Sequence, residues 1–217
     1  MPERIDLAAV EASLRAVQRD FEHINARLAS RREPLSDDVL ANMLAGYAFV
    51  DALAAAPIDP FAMGNLKYLL ELNTIVLCGT SSARREEYAR HIAATERRFY
   101  EEGEGGVRDL VEWFARHQGE SPWNRAAGAY VRILSKPQLF IEGNHRTGAL
   151  VMSYILLGDD QPPFVLSVEN AAAYFDPSTV IRDSDKKSVA TVFRLSGIRS
   201  GLARLLQDSS DRRYLLT

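Results

Sequence analysis

The run Ala149-Leu150-Val151-Met152-Ser153-Tyr154-Ile155-Leu156-Leu157 constrains this chain most, because wound as a helix it is apolar on nearly every side and has no face that prefers water. A helix of that kind needs neighbours all round, and the remaining sequence offers them as further helices. Leu7, Val10, Leu14, Val17, Phe21, Ile24 and Leu28 recur at alternating three- and four-residue steps and predict one long helix with an apolar seam, suited to the chain's own core or to a second copy of the chain. Ser36 caps a second helix, with Asp37 and Asp38 in its first turn, that runs to Pro57. A third is expected over Asn65–Leu77, stopped by Gly79, and a fourth over Ser82–Tyr100 with Tyr88, Ile92 and Phe99 buried. Val107, Leu110, Val111 and Phe114 have helical spacing, and Ser121-Pro122 reads as the cap and first residue of a helix ending before Pro137. After the apolar helix, Gly158–Pro163 makes a turn, Phe164–Val168 is extended, and a last helix is expected near Ser184–Leu206.

Strand patterns are almost absent, and no repeat or long linker divides the 217 residues. The expectation is an all-α, single-domain helical bundle over 1–217, its buried central helix following a polar loop, with the helices of 1–60 packing on or extending a core at 66–206. At 47% hydrophobic and 25% charged residues the composition suits a chain that folds alone. A formal charge of -3 gives no electrostatic footing for nucleic acid or an anionic membrane. The stretch Val39–Ile58 has membrane length, but Asn42 and Asp51 interrupt it and alanine supplies much of it, so it is read as a buried helix. Met1-Pro2-Glu3-Arg4 has no apolar signal core, and the lone Cys78 forms no internal disulfide, which together suit a reducing, cytoplasmic setting.

The residues with chemistry lie just before the apolar helix, in Phe140-Ile141-Glu142-Gly143-Asn144-His145-Arg146-Thr147-Gly148. A helix start presents unpaired N–H groups and partial positive charge, Gly143 lets the backbone turn closely, and Arg146 adds a planar cation, a set suited to phosphate. Glu142 has the oxygen chemistry to hold a divalent cation on that phosphate. The same residues also suit a plain helix cap, with Asn144 bonding its own backbone and Arg146 neutralising Glu142, and turn chemistry alone does not separate the two.

This segment resembles the Fic/Doc family, whose signature His-x-Phe-x-(Asp/Glu)-Gly-Asn-Gly-Arg-x-x-Arg is matched by Phe140, Glu142, Gly143, Asn144 and Arg146 in order and spacing. Weaker similarity extends over about Leu66 to Phe175. The resemblance implies an all-helical fold and transfer of AMP or another phosphate-bearing group from a nucleotide such as ATP to a protein hydroxyl. It implies Mg2+ on Glu142, and phosphates held by Gly143, Asn144, His145 and Arg146. A protein target or an antitoxin-like partner is also implied. Three departures stand against that chemistry. The family's catalytic histidine falls at Gln138, whose amide has no useful basicity. The motif's third glycine is His145 and its second arginine is Ala149. The family's β-hairpin flap falls where this chain reads as the helix Ser82–Tyr100.

His145 is a poor substitute base, since a helix start lowers its basicity. His23, His91 and His117 are isolated, and Cys78, Trp113 and Trp123 read as packing residues. The sequence therefore points first to a degenerate Fic-like protein that keeps a nucleotide-binding turn. A transferase with a non-standard base, and an association module built on the Leu7–Leu28 seam with a homodimer through it, are the alternatives.

Overall fold

A computed structural model describes residues 4–103, 105–186 and 188–216, and among them all named elements are helical. They are α1 (Leu7–Arg19), α2 (Phe21–Arg27), α3 (Asp37–Ala55), α4 (Lys67–Cys78), α5 (Ser82–Glu87), α6 (Ala89–Phe99), α7 (Val107–Arg116), α8 (Pro122–Leu134), α9 (Asn144–Leu157), α10 (Ala171–Asp183) and α11 (Val189–Asp208), followed by a short 3-10 turn at Arg212–Tyr214. The starts follow their caps. Asp6 accepts from the Ala8 and Ala9 N–H groups, Ser36 from Val39 and Ser121 from Asn124, with Pro122 at the first helical position. Gly79, at φ 70, closes α4.

The fold departs from the sequence pattern in three places. The helix expected over Leu7–Leu28 is divided at Asp20, whose backbone at φ -95 and ψ 10 departs from the helical values; its carboxylate bonds His23 Nδ1 at 2.9 Å. The helix expected over Ser82–Tyr100 breaks at Tyr88; α5 buries none of its residues, so packing does not tie its register to α6, and Tyr88 and Ile92 are half-exposed while Phe99 is fully buried. The last helix begins at Val189, and the preceding α10 is an additional one that the pattern hid, because Pro177 lies inside it and proline argues locally against a helix interior.

α9 is the hub: it packs against α8, α3 and α4 and buries Leu150, Val151, Met152, Ile155, Leu156 and Leu157. α11 lies on α8, and α1 on α3. The seam of the first two helices faces the chain's own interior. Val10 and Leu14 join the main core, and Val17, Phe21 and Ile24 form a smaller cluster with Ala171 of α10. Among the described residues α3 alone is long and apolar enough, by length and composition, to cross a membrane. Its two polar interruptions are satisfied inside the bundle. Asn42 donates to the Val76 carbonyl at 3.3 Å, and the buried Asp51 carboxylate accepts from Arg4 Nε at 2.9 Å and the Ile5 N–H at 2.8 Å. Ile5 pairs with Leu215, which brings the two ends of the described chain together.

Candidate functional site

The loop between α8 and α9 is held from several sides. The Lys136 N–H donates to the Ser184 carbonyl at 2.8 Å, Lys186 N–H donates back to the Lys136 carbonyl at 3.0 Å, and an Arg98 Nη donates to the Gln138 carbonyl at 2.7 Å. Phe140 is buried and stacks on Phe99 with ring centres 5.5 Å apart. Asn144 closes the loop: its Oδ1 accepts from the Phe140 N–H at 2.9 Å and its Nδ2 donates to the Phe140 carbonyl at 2.8 Å. Gly143, at φ 75, then turns the chain into α9 in a left-handed conformation that L side chains avoid, and an added Cβ there would meet Asn73 Nδ2 at 3.0 Å. Asn73, from α4, fixes the turn by donating to the Glu142 carbonyl and to Thr147 Oγ1, both at 3.0 Å.

The start of α9 is therefore rigidly placed, and no side chain caps it. Its first-turn N–H groups have no intrahelical partner and carry the positive end of the helix dipole. Two arginines flank them. Arg146, half-buried, donates to the Val76 carbonyl at 3.1 Å; burial lowers its pKa, partly offset by Glu142 and Glu33 nearby. Arg32, on the α2–α3 connection, lies over the Phe175 ring at 5.4 Å and donates to Phe175 O, Ser178 Oγ and Thr179 Oγ1 of α10 at 3.0, 2.9 and 2.7 Å. Burial is also the main cause that lowers its pKa. Neither guanidinium has a carboxylate within ion-pair distance among the described residues.

His145 lies between Tyr130 Oη, 3.0 Å from Nδ1, and Arg32 Nη1, 3.4 Å from Nε2. A guanidinium only donates, so Nε2 is the acceptor and the proton resides on Nδ1, facing Tyr130. Burial first, then Arg32, Arg182 and Arg146, push the imidazole pKa down to about 3. The Tyr174 hydroxyl donates to the His145 carbonyl at 3.1 Å. His145 is thus a neutral, doubly engaged ring, and its one lone pair is already facing a cation.

Arg32, His145, Arg146 and Tyr174 line a cavity of about 500 Å³. Its floor is apolar, with Leu14, Val39, Met43, Phe164 and Leu166, while its charged groups are Arg31, Arg32, Arg146, Arg182 and Glu33. Of the residues singled out in the sequence, Gly143, Asn144, His145 and Arg146 all border this cavity, as does Ala149 at the position of the family's second arginine. Two others do not. Gln138 borders a separate groove with Arg98, Lys136, Phe140 and Ile141, and its side chain braces the loop, donating to the Leu134 carbonyl at 3.0 Å and accepting from Asn144 at 3.5 Å. Glu142 is exposed and is absent from the cavity wall. A single exposed carboxylate outside the wall gives a divalent cation one protein ligand, and the described residues contain no group of three acidic, histidine or cysteine side chains placed to hold a metal ion. A divalent cation here would have Glu142 as its one protein ligand, with the oxygens of a bound phosphate supplying the rest.

The sequence pattern missed Arg31, Arg32 and Arg182, together with the supports Asn73, Tyr130 and Tyr174. Arg31-Arg32 reads as a solvated charge pair between two helices, and nothing in its spacing ties it to a loop more than a hundred residues away.

No protein-family model matches the chain, and no curated protein sequence matches it significantly. Solved structures do. The chain is similar to Fic-1 from C. elegans at 17% identity and a TM-score of 0.49, covering 93% of this chain and 59% of that one. It is also similar to a Fic-domain-containing signaling protein from Bacteroides thetaiotaomicron at 13% identity and a TM-score of 0.46, covering 92% of this chain and 87% of that one. The chain thus spans little more than half of the C. elegans structure, and its similarity to these Fic-domain proteins runs over nine-tenths of its own length.

Proposed function

We propose that this chain is a Fic-like protein that binds a phosphate-bearing ligand, of the nucleotide class, at the start of α9 and does not transfer AMP by histidine-base catalysis. The observation that carries the binding half is the pair Arg32 and Arg146: two half-buried guanidiniums without carboxylate partners on the wall of one cavity, beside an uncapped helix start. Glu142 and Glu33 act on Arg146, and Asp176 on Arg32, without forming ion pairs with them; burial still lowers both pKa values, and an anionic ligand offsets that cost. The apolar floor gives the organic part of such a ligand a place to lie.

The catalytic half of the proposal rests on two residues. Gln138 is an amide that braces the loop and does not border the cavity. His145 keeps its lone pair on Arg32, and its pKa near 3 leaves it too weak to take a proton from a hydroxyl at neutral pH.

Calorimetry with ATP, ADP and AMP, each with and without Mg2+, tests the binding half. At least one of them is expected to bind, with Arg146→Ala weakening it by about tenfold or more. No binding by any of the three would reduce the loop to a structural turn. Incubation of the protein with labelled ATP in a lysate tests the other half: a labelled protein band that disappears in Arg146→Ala would establish a transferase working through a base other than the family's.

A further inference from the structure

We propose that the inner half of the cavity binds an aliphatic hydrocarbon chain, seated in a trough along α3. This goes beyond the anion-binding reading and does not depend on it, because it concerns the inner, apolar part of the cavity and none of its charged groups.

Helical spacing builds the trough. Val39, Met43 and Tyr47 recur every four residues and so share one face of α3, over about 12 Å of helix. Phe164 and Leu166, from the non-helical segment after α9, and Leu14 of α1 line the same cavity. Leu14, Met43, Tyr47 and Phe164 are buried, whereas Arg31, Glu33 and Arg182 are exposed, so those charges stand at the mouth and the apolar side chains lie inside. At about 500 Å³ the whole cavity falls in the size range of small-molecule sites, and Met43, unbranched and flexible, lets the wall adapt to a chain.

The polar atoms of this wall are already engaged by the protein itself. The Phe164 carbonyl accepts from Tyr47 Oη at 2.7 Å and from Ser153 Oγ at 3.0 Å, and the Leu166 carbonyl from Ser13 Oγ at 2.9 Å. The Leu35 carbonyl accepts from Gln18 Nε2 at 2.9 Å, and the Tyr174 hydroxyl donates to the His145 carbonyl at 3.1 Å. A ligand group that brings donors or acceptors into this trough leaves them unpaired, whereas methylenes lose nothing there. A wall so satisfied holds water poorly, and an apolar occupant displaces no well-bonded water from it.

Calorimetric titration of the full chain with decanol, octanol and hexanol tests the assignment. Decanol is expected to bind saturably at one site, with affinity falling by about tenfold for each two methylenes removed. Met43→Phe, which puts a ring in the trough, is expected to weaken decanol by about tenfold or more. Val39→Phe fills the same trough from a half-buried position in the first turn of α3 and is expected to do likewise, so the test does not hang on one variant's folding. Thermal melts identify the folded variants. Absence of saturable binding, affinity indifferent to chain length, or full decanol affinity in the folded variants would each overturn the proposal. ADP titrated in parallel keeps the two readings apart: ADP binding without decanol binding leaves the anion site standing and removes this one, and the reverse result does the opposite.

Discussion

His145 occupies the place of a glycine in the motif it otherwise resembles, and its surroundings decide what that exchange does. With an ordinary value of 6.5 pushed down to about 3, the ring stays neutral in the folded protein across the range where the unfolded chain's imidazole takes up a proton. Between those two values the unfolded state binds more protons, so stability falls as pH drops through that window, by up to about 1.4 kcal/mol per pH unit from this group. Replacing it with glutamine, which does not titrate, is expected to flatten the dependence of the melting temperature on pH below 6. Nitrogen NMR of the imidazole offers a direct check: an Nδ1–H tautomer unchanged from pH 7 to 5 is expected, and a midpoint near 6.5 would show an open ring instead. The site was legible in sequence as far as it is contiguous. Gly143, Asn144, His145 and Arg146 are neighbours and border one cavity. Arg32 and Arg182 join them only through the folded chain, Arg32 by bonds to His145 and α10, and a charged side chain in a polar stretch gives no sign of which wall it will face.

At the scale of elements, α7 and α8 approach closely at Gly128. An added Cβ on Gly128 would come within 1.8 Å of Trp113 Cη2, where the indole is buried and stacked on His117 with ring centres 4.1 Å apart. Gly128→Ala is therefore expected to displace the indole and destabilise the protein by about 1–3 kcal/mol, the cost of overpacking, despite the higher helix propensity of alanine. Denaturant unfolding gives the loss, and a red-shifted tryptophan emission would report the moved ring; unchanged stability would mean that α7 shifts as a body. The helices themselves were mostly legible, because caps such as Ser36 and Ser121 and stops such as Gly79 act over one or two turns and their sequence signs are local. The misreadings share one cause. Asp20 and Tyr88 interrupt apolar spacing that runs on past them, and Pro177 lies inside a helix that its residue type argues against, so in all three places periodicity and propensity gave the wrong boundary.

Over the whole molecule, the cavity is where segments of very different sequence position meet. Leu14 comes from α1, residues 31–35 from the connection into α3, Gly143–Ala149 from the hub helix, and Phe164–Arg182 from the segment that contains α10. Arg32 ties two of these together through α10 and touches a third at His145. The proposed anion, seated there, would meet charged groups from several of them and would raise the free energy of a local opening that separates them. Hydrogen exchange on the full chain with ADP is expected to slow in residues 31–35, in the first turn of α9 and in α10 together, while α7 and the groove around Gln138 keep their rates. Protection confined to the Gln138–Ile141 groove would place the anion on the opposite side of the loop, where Arg98 and Lys136 supply the charge. Protection of α9 alone would mean that the helix start acts without the distant arginines, and that the α2–α3 connection serves to cover the core instead of to hold a ligand.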